Sequence, residues 1–320
     1  MPNLDAATRW VAAHVDSGLL PGAVLGVASR DGVIAVEAFG DARAEDRYPI
    51  FSITKPLVGM LAARHIDAGR LSLDTPLTDA VPGFGAGRDD VVRLRHLGSH
   101  SSGIVEPELD DATPLDEALL VPGRTFEVGT AVQYSSLAFH GIARLVEHAG
   151  GRPWEDQLET MLDGAGAAGL TMDAGHTSHV PVMSDQARID WERFCAIRHP
   201  GAGASAAMED MLAIARSLLA DDGRLLSPGA LAVMREPLSL GLPDFDQEAE
   251  PRRSEWGFTW NLRRSVPGLA ASDGFGHAGW DGTELWMHPD HDVAFVLLTN
   301  VLGAQDRGLD PITLASALTS

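Results

Sequence analysis

The chain of 320 residues has almost no lysine: Lys55 stands alone against 23 arginines. Arginine keeps its proton in proteins, whereas a partly buried lysine can lose its proton and act as a base. Cysteine is equally scarce, because Cys195 has no second cysteine to pair with. This excludes an intrachain disulfide and leaves the redox compartment undetermined.

Long apolar runs and a basic balance are also missing. No run approaches the about 18 apolar residues of a membrane-spanning helix. The formal net charge of −21 argues against nucleic acid or an anionic membrane as a partner. The stretch Met1–Asp5 has neither a basic region nor an apolar one, so we expect no signal peptide and a cytoplasmic protein.

Apolar periodicity and turn residues predict helices in the middle of the chain and strands towards both ends. The predicted helices cover residues 4–17, 52–69, 136–149 and 205–220, the last with Ser205 as N-cap, and a final helix opened by Asp310 and Pro311. The predicted strands cover residues 23–28, 33–39, 257–262, 284–288 and 293–299, with a tight turn at Asp31-Gly32.

This order of elements, without βαβ alternation, predicts an α+β fold. We expect an antiparallel β-sheet, flanked by helices and built from both chain ends, with an inserted, mostly helical lobe. The sheet lobe would comprise residues 1–75 and 250–320, and the helical lobe residues 76–249. The active site would lie between the lobes.

Ser52 and Lys55 form a Ser-x-x-Lys pattern at the start of a predicted helix. Three residues make almost one helical turn, so both side chains share a helix face. Desolvation and the positive helix end favour a neutral amine, which would let Lys55 take the Ser52 proton near neutral pH. The free backbone N–H of Ser52 would then point at an oxyanion.

Two further segments carry candidate chemistry. Tyr134, one of two tyrosines, precedes a helix, and a tyrosine near a cation ionises more easily and acts as a general base or acid. The alternative is a half-buried tyrosine whose hydroxyl caps a neighbouring group. In the second segment, Gly279 would let a substrate approach the backbone, and Trp280 would offer a free N–H. His277 would add polarity or positive charge at the rim; by itself, this segment is a glycine-rich turn.

Together, Ser52-Ile53-Thr54-Lys55, Tyr134-Ser135-Ser136 and His277-Ala278-Gly279 resemble, in order and spacing, the three motifs of the serine β-lactamase and penicillin-binding-protein superfamily. Within it, class C β-lactamases and family VIII carboxylesterases are most similar. Residues 94–103 resemble the family's His-Thr-Ser-Gly segment, and the likeness covers roughly residues 10–300. The resemblance implies a β-lactamase/transpeptidase-like fold without a metal or cofactor. It also implies an acyl-enzyme on Ser52, with Lys55 and Tyr134 sharing the proton transfers.

Two departures from the family pattern affect the expected substrate. His277 stands where the β-lactamases carry the lysine that helps to hold a carboxylate, and Ser136 stands where they usually have asparagine. We therefore predict a serine hydrolase acting on small esters or amides. The alternatives are an acyltransferase of natural-product metabolism that uses the same acyl-serine, and a weak β-lactamase or D-aminopeptidase. The expected partner is a small ester, amide or thioester, and the sequence leaves the oligomeric state open.

Other readings have less support. His96 and His100 are four residues apart, and His288 and His291 three, but neither pair brackets the glutamate of a His-Glu-x-x-His zinc helix. A catalytically silent sensor or scaffold stays an alternative that labelling of Ser52 would test. The glycine-rich stretch 83–87 lacks the lysine of a phosphate-binding loop.

Overall fold

The computed structural model describes residues 2–245, 255–262 and 272–320. The helices are α1 (Leu4–Asp16), α2 (Thr54–Asp67), α3 (Leu94–Gly98), α4 (Leu115–Leu119), α5 (Leu137–Gly150), α6 (Trp154–Ala165), α7 (Trp191–Ile197), α8 (Met208–Ala220), α9 (Pro228–Met234) and α10 (Pro311–Thr319). The strands are β1 (Gly22–Ala28), β2 (Val33–Gly40), β3 (Arg47–Pro49), β4 (Ser205–Ala207), β5 (Glu255–Trp256), β6 (Asn261–Leu262), β7 (Phe275–Ala278), β8 (Glu284–His288) and β9 (Val293–Leu298).

The main sheet has seven strands in the order β2-β1-β9-β8-β7-β6-β5, and every neighbouring pair is antiparallel. It joins the two halves of the chain, because Val24 of β1 lies opposite Leu298 of β9. Strands β3 and β4 form a separate two-stranded sheet. The predicted α+β fold with an antiparallel sheet drawn from both chain ends is confirmed.

Strand β1 is buried on both of its faces. Alternate residues such as Leu25 pack against α1 and α10, while Val24 on the other face belongs to the larger core that includes α8. Gly26 lets α8 come close, because a Cβ there would lie 2.3 Å from the sulfur of Met208. Burial of both faces explains why β1 reads as a continuous apolar run.

Most predicted elements are confirmed: α1, the β1–β2 hairpin, α2, α5, α10, β8 and β9 lie within a few residues of the predicted bounds. The N-cap prediction for Ser205 is wrong, because Ser205 lies in β4 and its hydroxyl donates to the carbonyl of Asp173 at 2.8 Å. Helix α8 begins three residues later, and the Asp210 carboxylate accepts from the N–H of Ala207 at 3.2 Å.

The prediction of a single strand over residues 257–262 is also wrong. Strands β5 and β6 have two residues each, and residues 257–260 turn the chain between them. Thr259 has φ 67°, in the left-handed region, and its N–H donates to the carbonyl of Gly98 at 2.8 Å. A contact with α3 therefore fixes this turn, and local sequence carries no signal for it.

The division into two lobes stays a prediction, and its second boundary, between residues 249 and 250, lies outside the described residues. In the ranges that the structure describes, no helix has the length and apolarity to cross a bilayer. Ser52 lies at the entry to α2, and the residues around it contact the C-terminal end of β7 and the beginning of α5.

Candidate active site

Ser52 lies in a 3-10 turn, residues 51–53, that leads from β3 into α2. The preceding residue, Phe51, has φ 38°, a backbone conformation that aromatic residues rarely adopt. Its buried ring stacks on Phe194 at 5.1 Å between centroids and meets Trp280 edge-on at 6.1 Å. Because this packing holds the strained backbone, the turn presents Ser52 in a fixed orientation.

Lys55 lies one turn further on, fully buried in the first turn of α2. Its Nζ donates to three oxygens: Ser52 Oγ at 3.0 Å, Ser136 Oγ at 2.9 Å and the Gly201 carbonyl at 2.9 Å. Burial lowers the pKa of Lys55 to about 7, and the negative charge of Glu106 opposes that shift. Both protonation states of the amine are therefore accessible near neutral pH.

The three oxygens suit both of these states. An ammonium has three donors, one for each oxygen. A neutral amine has two N–H donors and a lone pair, and a carbonyl oxygen such as that of Gly201 can only accept. The lone pair is then free to accept the Ser52 hydroxyl proton. The arrangement fits proton transfer from Ser52 to Lys55.

Tyr134 lies three residues before the start of α5 and covers Lys55, whose Nζ lies 4.6 Å from the ring centroid. The expectation that Tyr134 ionises easily is wrong. Burial raises its pKa above the ordinary value and the charge of Glu106 adds to the shift, while a hydrogen bond with Ser52 opposes it. Although 37% of Tyr134 is exposed, its hydroxyl keeps its proton at pH 7.

The third segment brings a strand end against the Ser52 turn. Gly279 follows β7, and a Cβ there would lie 3.0 Å from the Ile50 carbonyl oxygen and 2.7 Å from Asp281 Oδ1, so this approach requires glycine. Among the described residues, the backbone N–H groups of Ser52 and Trp280 donate to no protein acceptor. They are the two donors expected for an oxyanion.

His277 does not carry the positive charge that the sequence allowed. The residue is 3% exposed, and burial lowers its pKa to about 3, with the charge of Lys55 acting in the same direction. Its Nδ1 donates to the Ala278 carbonyl at 2.8 Å, because a carbonyl oxygen can only accept. The ring is neutral at pH 7, its Nε2 is buried, and it packs near the rings of Tyr134 and Trp256.

Sequence reasoning missed the loop that supplies the third acceptor to Lys55. The N–H of Gly201 donates to Nδ1 of His199 at 2.8 Å, which fixes the carbonyl that faces Lys55. A Cβ on Gly201 would lie 2.9 Å from the Ser136 carbonyl oxygen. The clustered small residues Gly201-Ala202-Gly203 were the available signal, because they permit close backbone approach.

Glu106 was missed as well. Its carboxylate accepts from Ser135 Oγ and the Ser136 N–H, both at 2.6 Å, and from the Leu137 N–H at 3.2 Å. It thus caps α5 and fixes the segment between Tyr134 and Ser136. A lone acidic residue between two helices gave no hint of this role, since the contact spans about thirty residues of chain.

The comparisons with known proteins agree with this geometry. The sequence model of the Beta-lactamase family matches residues 7–319. The chain belongs to the β-lactamase family. It is accordingly a serine hydrolase of this family, in which serine β-lactamases, penicillin-binding proteins and family VIII esterases share one fold.

The relatives that match this chain include a penicillin-binding protein and an esterase. The chain is 27% identical to penicillin-binding protein 4 of Amycolatopsis lactamdurans, over 78% of this chain and 71% of that protein. It is also 27% identical to esterase EstB of Burkholderia gladioli, over 87% of this chain and 83% of that protein. The solved structure of EstCE1, a hydrolase with promiscuous acyltransferase activity, has a TM-score of 0.81 at 18% identity, covering 99% of this chain and 98% of that one.

On one side, the surroundings of Ser52 in this β-lactamase family member are apolar. An apolar cluster packs around the Ser52 turn, with Phe51 and Phe194 at its centre and Leu109, Met183 and Trp280 half-buried at its edge. In the described part of the chain, no three His, Cys, Asp or Glu side chains are grouped so that they could hold a metal ion. The charges near Ser52 are those of Lys55 and Glu106.

Proposed function

We propose that the protein hydrolyses small, neutral esters or amides through an acyl-enzyme on Ser52. The observation that carries this proposal is the fully buried Lys55 amine, 3.0 Å from Ser52 Oγ, with a pKa of about 7. An amine that is partly neutral at pH 7 and in contact with a hydroxyl activates that hydroxyl as a nucleophile.

The reaction would proceed in two halves. Ser52 Oγ attacks the substrate carbonyl as its proton passes to Lys55, and the oxyanion accepts from the N–H groups of Ser52 and Trp280. Lys55 returns the proton through the Tyr134 hydroxyl to the leaving alcohol or amine, which departs. Water then attacks the acyl-Ser52 ester with the same groups acting in reverse, which releases the acid and restores the Ser52 hydroxyl.

A neutral substrate fits this site better than one with a carboxylate. His277 occupies the position of the carboxylate-binding lysine and is neutral at pH 7, and the chain has no second lysine. The apolar cluster beside Ser52 offers contact area for an apolar acyl group. We therefore rank aryl and short-chain esters above β-lactams, whose carboxylate would meet no fixed cation among the described residues here.

An acyltransferase stays the second candidate, since it would use the same acyl-Ser52. The fold resembles that of EstCE1, a hydrolase with promiscuous acyltransferase activity, and that of simvastatin synthase of Aspergillus terreus, with a TM-score of 0.76. The two activities differ in whether water or an acceptor molecule resolves the acyl-enzyme. The product ratio with an added alcohol or amine in water separates them.

The test is intact-mass spectrometry after incubation with a p-nitrophenyl ester, a thioester and a chromogenic cephalosporin. We expect an acyl adduct from the ester that is absent in Ser52→Ala, together with release of nitrophenol. Equal or faster turnover of the cephalosporin would replace the esterase assignment by a β-lactamase. Labelling that persists in Ser52→Ala would overturn the proposal.

A further inference from the structure

The Glu106 carboxylate reaches the active site from the segment between α3 and α4. It accepts hydrogen bonds from the Ser135 hydroxyl and from the N–H groups of the next two residues, Ser136 and Leu137. Ser135 Oγ in turn accepts from the N–H of Ala138 at 3.0 Å. The beginning of α5 is therefore anchored to one carboxylate.

This anchor adjoins two groups that touch the reacting atoms. Tyr134, directly before the anchored residues, is the hydrogen-bond partner of Ser52, and Ser136 Oγ accepts from Lys55 Nζ at 2.9 Å. A shift of the segment by a fraction of an ångström would change both contacts at once. Placement errors of about 1 Å near reacting atoms reduce rates by about a hundredfold.

Glu106 is also the negative charge that acts on Lys55: burial raises the pKa of the Glu106 carboxyl, and its hydrogen bonds with Ser135 and Ser136 and the charge of Lys55 oppose that rise. Four other ionisable groups face the amine, and each is neutral at pH 7. Burial lowers the pKa of His199 and of His277 to about 3 and that of His100 well below its usual value, and burial raises that of Tyr134. Among the ionisable groups of the described residues, Glu106 therefore supplies the charge that favours the ammonium form of Lys55 against burial, in addition to the three oxygens that accept from Nζ.

We propose that Glu106 is a positioning residue that holds the Tyr134–Ser136 segment against Lys55 and, through its charge, sets the proton occupancy of Lys55. The inference rests on the proposed function for its kinetic consequence, but its electrostatic part concerns the resting protein. Without the Glu106 charge, Lys55 would lose its proton at lower pH. Too little proton affinity would leave Lys55 unable to protonate the leaving group.

The single lysine allows a direct test. Protein grown with lysine labelled with ¹³C at Cε gives one resonance for that position, whose shift against pH reports Lys55 alone. We expect a midpoint near pH 7 in the unaltered protein and a midpoint lower by about one pH unit in Glu106→Gln. The control Asp116→Asn removes an exposed carboxylate that contacts His140 of the same helix α5, and should leave the midpoint unchanged.

The kinetic arm measures ester hydrolysis against pH in the same variants. Glu106→Gln should lower the high-pH plateau by about tenfold or more, because an amide cannot accept all of the anchoring hydrogen bonds. The same substitution should shift the acid limb of the rate profile to lower pH, in parallel with the titration midpoint of the Lys55 resonance. Glu106→Asp keeps the charge and shortens the reach, so its plateau should fall while its midpoint stays near that of the unaltered protein.

The outcomes are separable from failure of the proposed function. An unchanged resonance midpoint in folded Glu106→Gln overturns the electrostatic role, whatever the activity. An unchanged high-pH plateau of ester hydrolysis in Glu106→Asp overturns the positioning role. If Glu106→Gln does not fold, Glu106→Asp alone serves as the test. Absence of Ser52 labelling in the unaltered protein would overturn the proposed function, and the resonance would still decide the charge effect.

Discussion

At the scale of single residues, the site depends on one amine that can give up its proton. Lys55→Arg keeps a positive charge but removes the base, because a guanidinium does not deprotonate in proteins. We expect acylation of Ser52 by an aryl ester to slow by about 10³-fold. The measurement is the nitrophenol burst at pH 8, and a burst as fast as in the unaltered protein would remove Lys55 from the proton transfer.

A second residue-scale prediction concerns His277. Because its pKa is held at about 3, the ring does not titrate between pH 5.5 and 8.5 as a catalytic cation would. His277→Gln should therefore leave the shape of the pH profile unchanged over this range, even where the rate itself changes. If the rate of the unaltered protein falls as the pH rises through 6–7 and this fall is absent in His277→Gln, then His277 acts as a cation after all.

At the scale of elements, the end of β7 must approach the Ser52 turn closely. Gly279→Ala would place a methyl group 3.0 Å from the Ile50 carbonyl oxygen and 2.7 Å from Asp281 Oδ1, which pushes Trp280 and its N–H away. We expect kcat to fall by about 10²-fold, the effect of losing one oxyanion donor. Gly32→Ala in the β1–β2 turn is the control, since a Cβ there meets nothing within 4 Å and activity should be kept.

The elements also show how much of the fold the sequence alone predicts. Amphipathic or apolar periodicity marks α1, α2 and α5 correctly, because local burial patterns determine these elements. The turn at Thr259 and the strand around Ser205 depend on partners far away in the chain, Gly98 and residues 47–49. Local sequence contains no trace of such partners.

The same limit applies to the candidate site. Motif spacing identifies Ser52, Lys55 and Tyr134 as candidates, because Ser52 and Lys55 share a helix turn and Tyr134 precedes a helix. The anchors of these residues, Glu106 and the Gly201 carbonyl, come from loops without periodicity. Protonation states also escape the sequence, since burial is what makes His277 neutral and keeps the proton on Tyr134.

At the scale of the whole molecule, buried histidines should make the fold sensitive to acid. The pKa values of His65, His100, His199 and His277 are lowered, chiefly by burial. The unfolded chain takes up these protons below about pH 6.5 while the native state does not, so stability falls as pH drops. For His199 and His277 the loss at pH 5 is about 2 kcal/mol each.

Buried carboxyls act in the opposite direction, and Glu106 is one of them, since burial raises its pKa. Burial raises the pKa of Asp281 well above its usual value, so its proton uptake on folding offsets part of that loss as the pH falls. The free energy of unfolding, measured with urea at pH 7 and at pH 5, gives the sum of these contributions as the difference between the two values. In His277→Gln the difference between the two pH values should shrink by about 2 kcal/mol. His148→Gln, a change at an exposed position of α5, should leave it unaltered.

The pairing of β1 with β9 has a consequence for synthesis on the ribosome. One edge of β1 pairs with the neighbouring strand β2, but its other edge stays unpaired until residues 294–298 have also left the exit tunnel. Ser52 is therefore synthesised well before β7, the strand that leads to the N–H of Trp280. Protease protection of arrested nascent chains should rise only once residue 298 has emerged, and early protection would contradict this order.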